Sequence, residues 1–191
     1  MNPKILVFAG SAREDSLNKK LARVGARAVD AAGGQATFID LRDYPLPLYD
    51  GDLEAREGIP ANAKRLKQVF IDHQGLLIAS PENNASMSAL LKNTIDWISR
   101  QDGEQSGLVP YAHKVAALMA ASPSVRGGLR GVPHLRASLE ALNVLVLPGY
   151  VTIPHADAAF ADDGVLKDPE QQKAVAAAAK RLVATIAKLA Q

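Results

Sequence analysis

Gly10, Ser11, Arg13, Ser16 and Asn18 stand together in the stretch GSAREDSLN, directly after the apolar run KILVFA. Ser16 suits the N-cap of a helix, and a capped helix start leaves first-turn backbone N–H groups free to point at a ligand. Those groups and the helix dipole favour an anion. The hydroxyls and the Asn18 carboxamide add hydrogen-bond donors, and Arg13 can grip phosphate oxygens with its guanidinium fork. The stretch has one glycine where a dinucleotide fingerprint needs three, and no Gly-Lys-Ser/Thr, so it is neither a Rossmann fingerprint nor a Walker loop. Capping alone accounts for Ser16, but not for Ser11, Arg13 and Asn18 as well. The chemistry these residues suit is the binding of a phosphate.

Two further stretches carry groups of the same kind. In SPENNAS (80–86), Pro81 stiffens a loop dense in donors and acceptors from Asn83, Asn84 and Ser86. Alone, it reads somewhat more readily as a polar strand-to-helix turn with a capping serine than as a platform for a planar heterocycle. In SPSVRGGLRG (122–131), Gly127 and Gly128 allow a backbone to approach a flat ligand closely, or mark an unusual turn.

These stretches need elements to hold them. Strand-like apolar runs cover 4–9, 36–41, 75–80, 114–121 and 144–149. The alanine-rich run 114–121 counts as a strand because a buried parallel strand reads as a continuous apolar segment. Between the runs lie helical stripes: Leu17, Leu21, Val24 and Ala28; Ala63, Leu66, Phe70 and His73; Leu91, Ile95 and Ile98; Leu135, Leu139 and Leu142. Asp168 and Pro169 open a last helix with the stripe Val175, Ala179, Leu182, Ile186 and Leu189. Segments 42–52, 101–113 and 149–167 read as loops. Five strands alternating with helices predict one α/β domain over 1–191, a parallel sheet covered on both faces. In such a sheet ligands bind beyond the carboxyl ends of the strands. The three polar stretches follow the first, third and fourth strands, where that rule places a site.

Composition removes other chemistries. The 191 residues contain no cysteine, which excludes disulfides, thiolate metal sites, iron–sulfur clusters and cysteine nucleophiles. His73, His113, His134 and His155 stand far apart and read as structural or solvent-facing, not as metal ligands. A net charge of +2 without a basic block, and few aromatics, argue against nucleic acid. No apolar run is long enough to span a membrane, and the first strand begins too early for a signal peptide, so the expected location is the cytoplasm. Asp40 sits where a dinucleotide fold keeps its ribose-binding acid; without the glycines it reads as a strand-end residue.

GSAREDSLN resembles the Gly-Ser-x-Arg-x-x-Ser-x-Asn phosphate motif of the NAD(P)H-dependent FMN reductases, the flavodoxin-like family of quinone, chromate and azo-dye reductases. SPENNASMSALLKNTIDW resembles that family's Pro-Glu-Tyr-Asn-x-Ser segment and the helix after it, and RDYPLPLYD and ASPSVRGGLRG match two more stretches. The resemblance covers roughly 3–150. It implies a flavodoxin-like doubly wound five-stranded sheet in the order 2-1-3-4-5, bound FMN, and NADPH or NADH as electron donor. It implies that Ser11, Arg13, Ser16, Leu17 and Asn18 hold the phosphate. Pro81, Glu82, Asn83, Asn84 and Ser86 would frame the flavin ring from one side, and Ser122, Gly127 and Gly128 from another. The family's tyrosine is Asn83 here, which offers neither an aromatic wall nor a phenol. The resemblance further implies a small-molecule acceptor, ping-pong transfer with no catalytic side chain, and a homodimer or homotetramer, with the helix carrying Trp97 at an interface. The alternatives are a flavodoxin-like electron carrier and a non-catalytic flavin-binding regulator. The first usually carries an acidic docking face, which a net charge of +2 does not suggest.

Overall fold

The computed structural model describes residues 2–190. Strands β1 (Lys4–Ala9), β2 (Gln35–Ile39), β3 (Gly75–Ala79), β6 (Val115–Ala121), β7 (Leu145–Val146) and β8 (Val151–Ile153) form one parallel sheet. Its order is β2-β1-β3-β6-β7, with β8 also on β6. This is the flavodoxin-like 2-1-3-4-5 arrangement, with the fifth position shared by two short strands. Helices α1 (Leu17–Ala31) and α6 (Pro169–Leu189) cover one face; α3 (Ala61–Ile71), α4 (Ala89–Ile98) and α5 (Gly131–Ala141) cover the other. Alternation along β1 divides the core. Ile5, Val7 and Ala9 join the α1–α6 cluster, while Leu6 and Phe8 join the α3–α5 cluster. Both faces being apolar explains why β3 and β6 read as unbroken apolar runs.

The central strands are in register at their carboxyl ends: Ala9 lies opposite Ala79, and Ala79 opposite Met119. The loops that follow are therefore neighbours. Helix α1 approaches the sheet closely because residue 25 is glycine; a Cβ there would lie 2.7 Å from Leu77 Cδ2.

Several local expectations change. The strand expected over 144–149 is broken. Leu145–Val146 pairs with the start of β6, Pro148 and Gly149 (φ 79°) turn the chain, and β8 pairs with its end. Segment 149–167 thus holds a strand. Segment 42–52 is not all loop: Leu41–Asp43 forms a 3-10 turn, and α2 (Gly51–Glu57) starts where Asp50 accepts a hydrogen bond from the Asp52 N–H at 2.8 Å. The helix carrying the third stripe, expected over 87–100, starts at Ala89, because 82–87 forms an antiparallel hairpin of β4 (Glu82–Asn83) and β5 (Ser86–Met87). Its central residues, Asn84 (φ 49°) and Ala85 (φ 64°), are both left-handed, as a type I′ turn demands. Alanine is strained there by about 1 kcal/mol or more. Ala85→Gly is expected to raise the unfolding free energy by about 0.5–1 kcal/mol, the relief exceeding glycine's added chain entropy. Urea denaturation checks this, and a destabilised variant would contradict it.

Candidate functional site: a cleft at the carboxyl end of the sheet

The three polar loops converge on a cleft of about 440 Å³. Ser11, Arg13, Ser16, Leu17 and Asn18 line it from the first loop, Pro81, Glu82 and Asn83 from the hairpin, and Ser122 from the third loop. Its size falls in the usual range for small-molecule sites.

At the first loop, Ser16 caps α1, its Oγ accepting from the Lys19 N–H at 3.4 Å. Ser11 Oγ accepts from the Arg13 N–H at 3.3 Å. The first-turn N–H groups of Leu17 and Asn18 have no acceptor among the described residues, so at Leu17 the group open to a ligand is the backbone N–H. Arg13 is exposed, and its guanidinium makes no ion pair among the described residues. Asn18 does more than offer a donor. Its Nδ2 donates to the Ala121 carbonyl and its Oδ1 accepts from the Ala121 N–H, both at 2.9 Å. That pair locks the start of α1 to the end of β6 and leaves one Asn18 N–H for a ligand. The donor set fits the phosphate group of FMN: a free cation, two hydroxyls and two unpaired amides at a helix start.

The hairpin is held from the third loop. Glu82 accepts from Arg130 Nε at 2.8 Å and Nη2 at 2.6 Å, and from the Arg130 backbone N–H at 2.8 Å. Helix α5 has no side-chain cap of its own, so Glu82 caps it from 48 residues away. Burial alone would raise the Glu82 pKa, but the Arg130 hydrogen bonds outweigh it and hold the carboxyl below its ordinary range. A carboxylate depressed in the fold stabilises it above the ordinary glutamate value and loses that contribution as pH falls through the folded value. The stability gap between the parent and Arg130→Met is therefore expected to stay constant near neutrality and to narrow below about pH 4. Denaturant midpoints across pH check it; a gap independent of pH would contradict the clamp.

Some expected site residues lie elsewhere. Asn84 and Ser86 line a neighbouring depression with Lys92 and His134, which shares Asn83 with the cleft. Gly127 and Gly128 are absent from the cleft lining. A Cβ on Gly127 would lie 2.8 Å from the Pro154 nitrogen, and one on Gly128 would lie 2.9 Å from Ala120 Cβ. Their left-handed backbones (φ 59° and 88°) pack closely on β8 and β6. Trp97 is not at a surface. It is 0% exposed within a single chain, donating its indole N–H to the Pro47 carbonyl at 2.8 Å and packing edge-on against Tyr49. Asn93 donates to the same carbonyl, so the YPLPLY loop is a packing element fastened to α4. Asp40 pairs with buried Lys19 at 2.6 Å, as a strand-end residue. No group of three or more His, Asp or Glu suited to a metal occurs among the described residues.

Other lining residues escaped the sequence. Ser88, Ala89 and Leu90 reach the cleft at the start of α4. Ser88 caps that helix through the Leu91 N–H and donates to the Gly10 carbonyl at 2.6 Å. Its position just ahead of an apolar helical run was the available signal. Nothing local in the sequence links Glu82 with Arg130.

Comparison with known proteins agrees with this geometry. The sequence profile of the NADPH-dependent FMN reductases matches residues 3–158. A quinone reductase of Escherichia coli K12 is 33% identical over 144 residues, 75% of this chain and 73% of that protein. A 2-hydroxy-1,4-benzoquinone reductase of a Burkholderia species is 35% identical over 144 residues, 75% of this chain and 74% of that protein. Among solved structures, the flavoenzyme NAD(P)H:acceptor oxidoreductase FerB of Paracoccus denitrificans superposes with a TM-score of 0.81 at 30% identity, covering 97% of this chain and 98% of its own. With its fold, its sequence motifs and its matched length in agreement, the chain belongs to the NADPH-dependent FMN reductase family and is an FMN-dependent oxidoreductase using NAD(P)H.

Proposed function

We propose that this chain passes hydride from NADPH or NADH, by a ping-pong sequence in the cleft, to a quinone, azo dye, free flavin or similar small acceptor. The observation that carries this reading is the character of the lining. Among the described residues that line it, Arg13 and Glu82 are the ionisable side chains, and Glu82 is committed to Arg130. Among the described residues lining the cleft, no ionisable side chain is left as a general acid or base, and none of the serine hydroxyls has a base to activate it. FMN supplies the hydride chemistry when bound. The protein's part is to anchor and to shield. Ser11, Arg13, Ser16 and the N–H groups of Leu17 and Asn18 would hold the phosphate. Pro81, Glu82 and Asn83 would border the ring on one side and Ser122 on another, while Ala89 and Leu90 keep part of the wall apolar. Because the donor and the acceptor would use one opening in turn, initial-rate plots at several quinone concentrations should be parallel. Converging lines would contradict the ping-pong order.

Asn83 is exposed and stands where the cleft meets the neighbouring depression. Asn83→Tyr should add an aromatic wall, tighten FMN by about 0.5–1.5 kcal/mol and slow bulky acceptors more than small quinones. If neither FMN affinity nor the ratio of the two turnovers changes, residue 83 faces away from the flavin. The same reading takes the working unit to be a cytoplasmic homodimer or homotetramer. Its support is the resemblance of the α4 segment, since Trp97 is consumed inside the chain. Sedimentation as a monomer at micromolar concentration would contradict it.

A further inference from the structure

At the opposite end of the sheet, where the strands begin, lies a second cavity of about 720 Å³, larger than the cleft. Gln74 precedes β3, Lys114 precedes β6, and Leu145 opens β7; the last turns of α6 close the side with Ile186 and Leu189. Its walls are mainly aliphatic. Leu108, Leu145 and Leu189 are 42%, 50% and 66% exposed, so three of the chain's exposed large apolar side chains ring one opening. Scattered exposed leucines need no explanation, but leucines gathered around a concavity mark a binding surface.

One cation belongs to this apolar cavity. Lys114 is only 6% exposed, yet its ammonium has no carboxylate within ion-pair distance and no side-chain hydrogen bond among the described residues. Burial pushes its pKa down, and Asp72, too far away to pair, offsets this in part. The ammonium nitrogen itself keeps contact with solvent, since Gln171 Oε1 is the one buried side-chain polar atom without a partner among the described residues, so Lys114 offers the cavity an unpaired cation that an anion can reach. The other buried lysines are satisfied: Lys19 by Asp40 and Lys67 by the Arg100 carbonyl. His113 and Asn143, on the same rim, hold left-handed backbones (φ 59° and 66°) that fix the turns on either side.

We propose that this cavity is a binding site, separate from the FMN cleft, for an amphipathic carboxylate. Its head group pairs with Lys114, and its apolar body lies on Leu108, Leu145, Ile186 and Leu189. The charge selects an anion, and the aliphatic walls select a hydrocarbon or aryl body over a free inorganic ion. The site lies at the amino ends of the strands, so a bound molecule would not obstruct the nicotinamide or the acceptor.

The test is calorimetric titration of FMN-saturated protein with decanoate and, in parallel, with decanol. Decanoate is expected to bind saturably. Lys114→Met should weaken it about tenfold or more while leaving decanol unchanged. Lys114→Arg, which keeps the charge, should retain decanoate affinity, and Leu145→Asp should weaken both probes. Nicotinamide oxidation at saturating substrate reports that each variant is folded, and it should match the parent. The proposal is overturned if decanoate does not bind saturably, or if the parent and Lys114→Met bind it equally. It is also overturned if NADPH displaces the probe, which would place decanoate in the cleft.

Discussion

Replacing Arg13 with alanine is expected to weaken FMN binding roughly ten- to hundredfold, since a charge-assisted hydrogen bond to phosphate contributes about 1.5–3 kcal/mol. The structure makes this a clean experiment. Arg13 is exposed and its side chain pairs with nothing among the described residues, so its removal leaves no buried group stranded and should leave stability almost unchanged. Riboflavin lacks the phosphate and should bind the parent and the variant alike. Fluorescence titration with both flavins checks the assignment. An equal loss for riboflavin would move Arg13 to the ring, and an unchanged FMN affinity would remove it from the site.

Asn18→Leu should act on the fold and the site together. The substitution keeps the side chain's approximate size but leaves the Ala121 N–H and carbonyl without the partners they have at 2.9 Å. A buried polar group left unpaired costs about 1–3 kcal/mol, so the pair costs about 2–6 kcal/mol of stability. Since Asn18 and Ala121 both line the cleft, FMN affinity should fall as well. Asn18→Asp can still accept from the Ala121 N–H but sets a carboxylate against the Ala121 carbonyl, so it should be no better tolerated. Thermal unfolding with and without FMN separates the two effects. A variant as stable as the parent would show that the Ala121 groups find other partners.

The contrast between these two residues shows what the sequence could and could not disclose. Both belong to one motif, and their types alone suggested phosphate. Only the fold shows that Arg13 is free whereas Asn18 is a brace across 103 residues. The sheet was legible because β1, β3 and β6 are buried on both faces and read as apolar runs. The hairpin was not, because its turn is Asn-Ala where a glycine at the second position would have announced it. Pro148 and Gly149 were visible, but the return of the chain to β6 as β8 depends on the edge it rejoins. Gly127 and Gly128 signalled a special backbone, and the fold shows their close contacts with β8 and β6. For Trp97, the resemblance of its helix implied an interface. Its cover is the chain's own loop, fixed by Pro47 and Tyr49.

The central claim is that this cleft holds FMN and that NAD(P)H reduces it there. Its most direct measurement is the visible absorption spectrum of the FMN-reconstituted protein under anaerobic conditions, before and after one equivalent of NADPH or NADH. The account predicts a protein-bound flavin band that bleaches on addition of donor and returns on addition of a quinone, with both the binding and the bleaching impaired in Arg13→Ala at limiting FMN. A bound flavin that stays oxidised with either nicotinamide, or bleaching that Arg13→Ala leaves untouched, would contradict it.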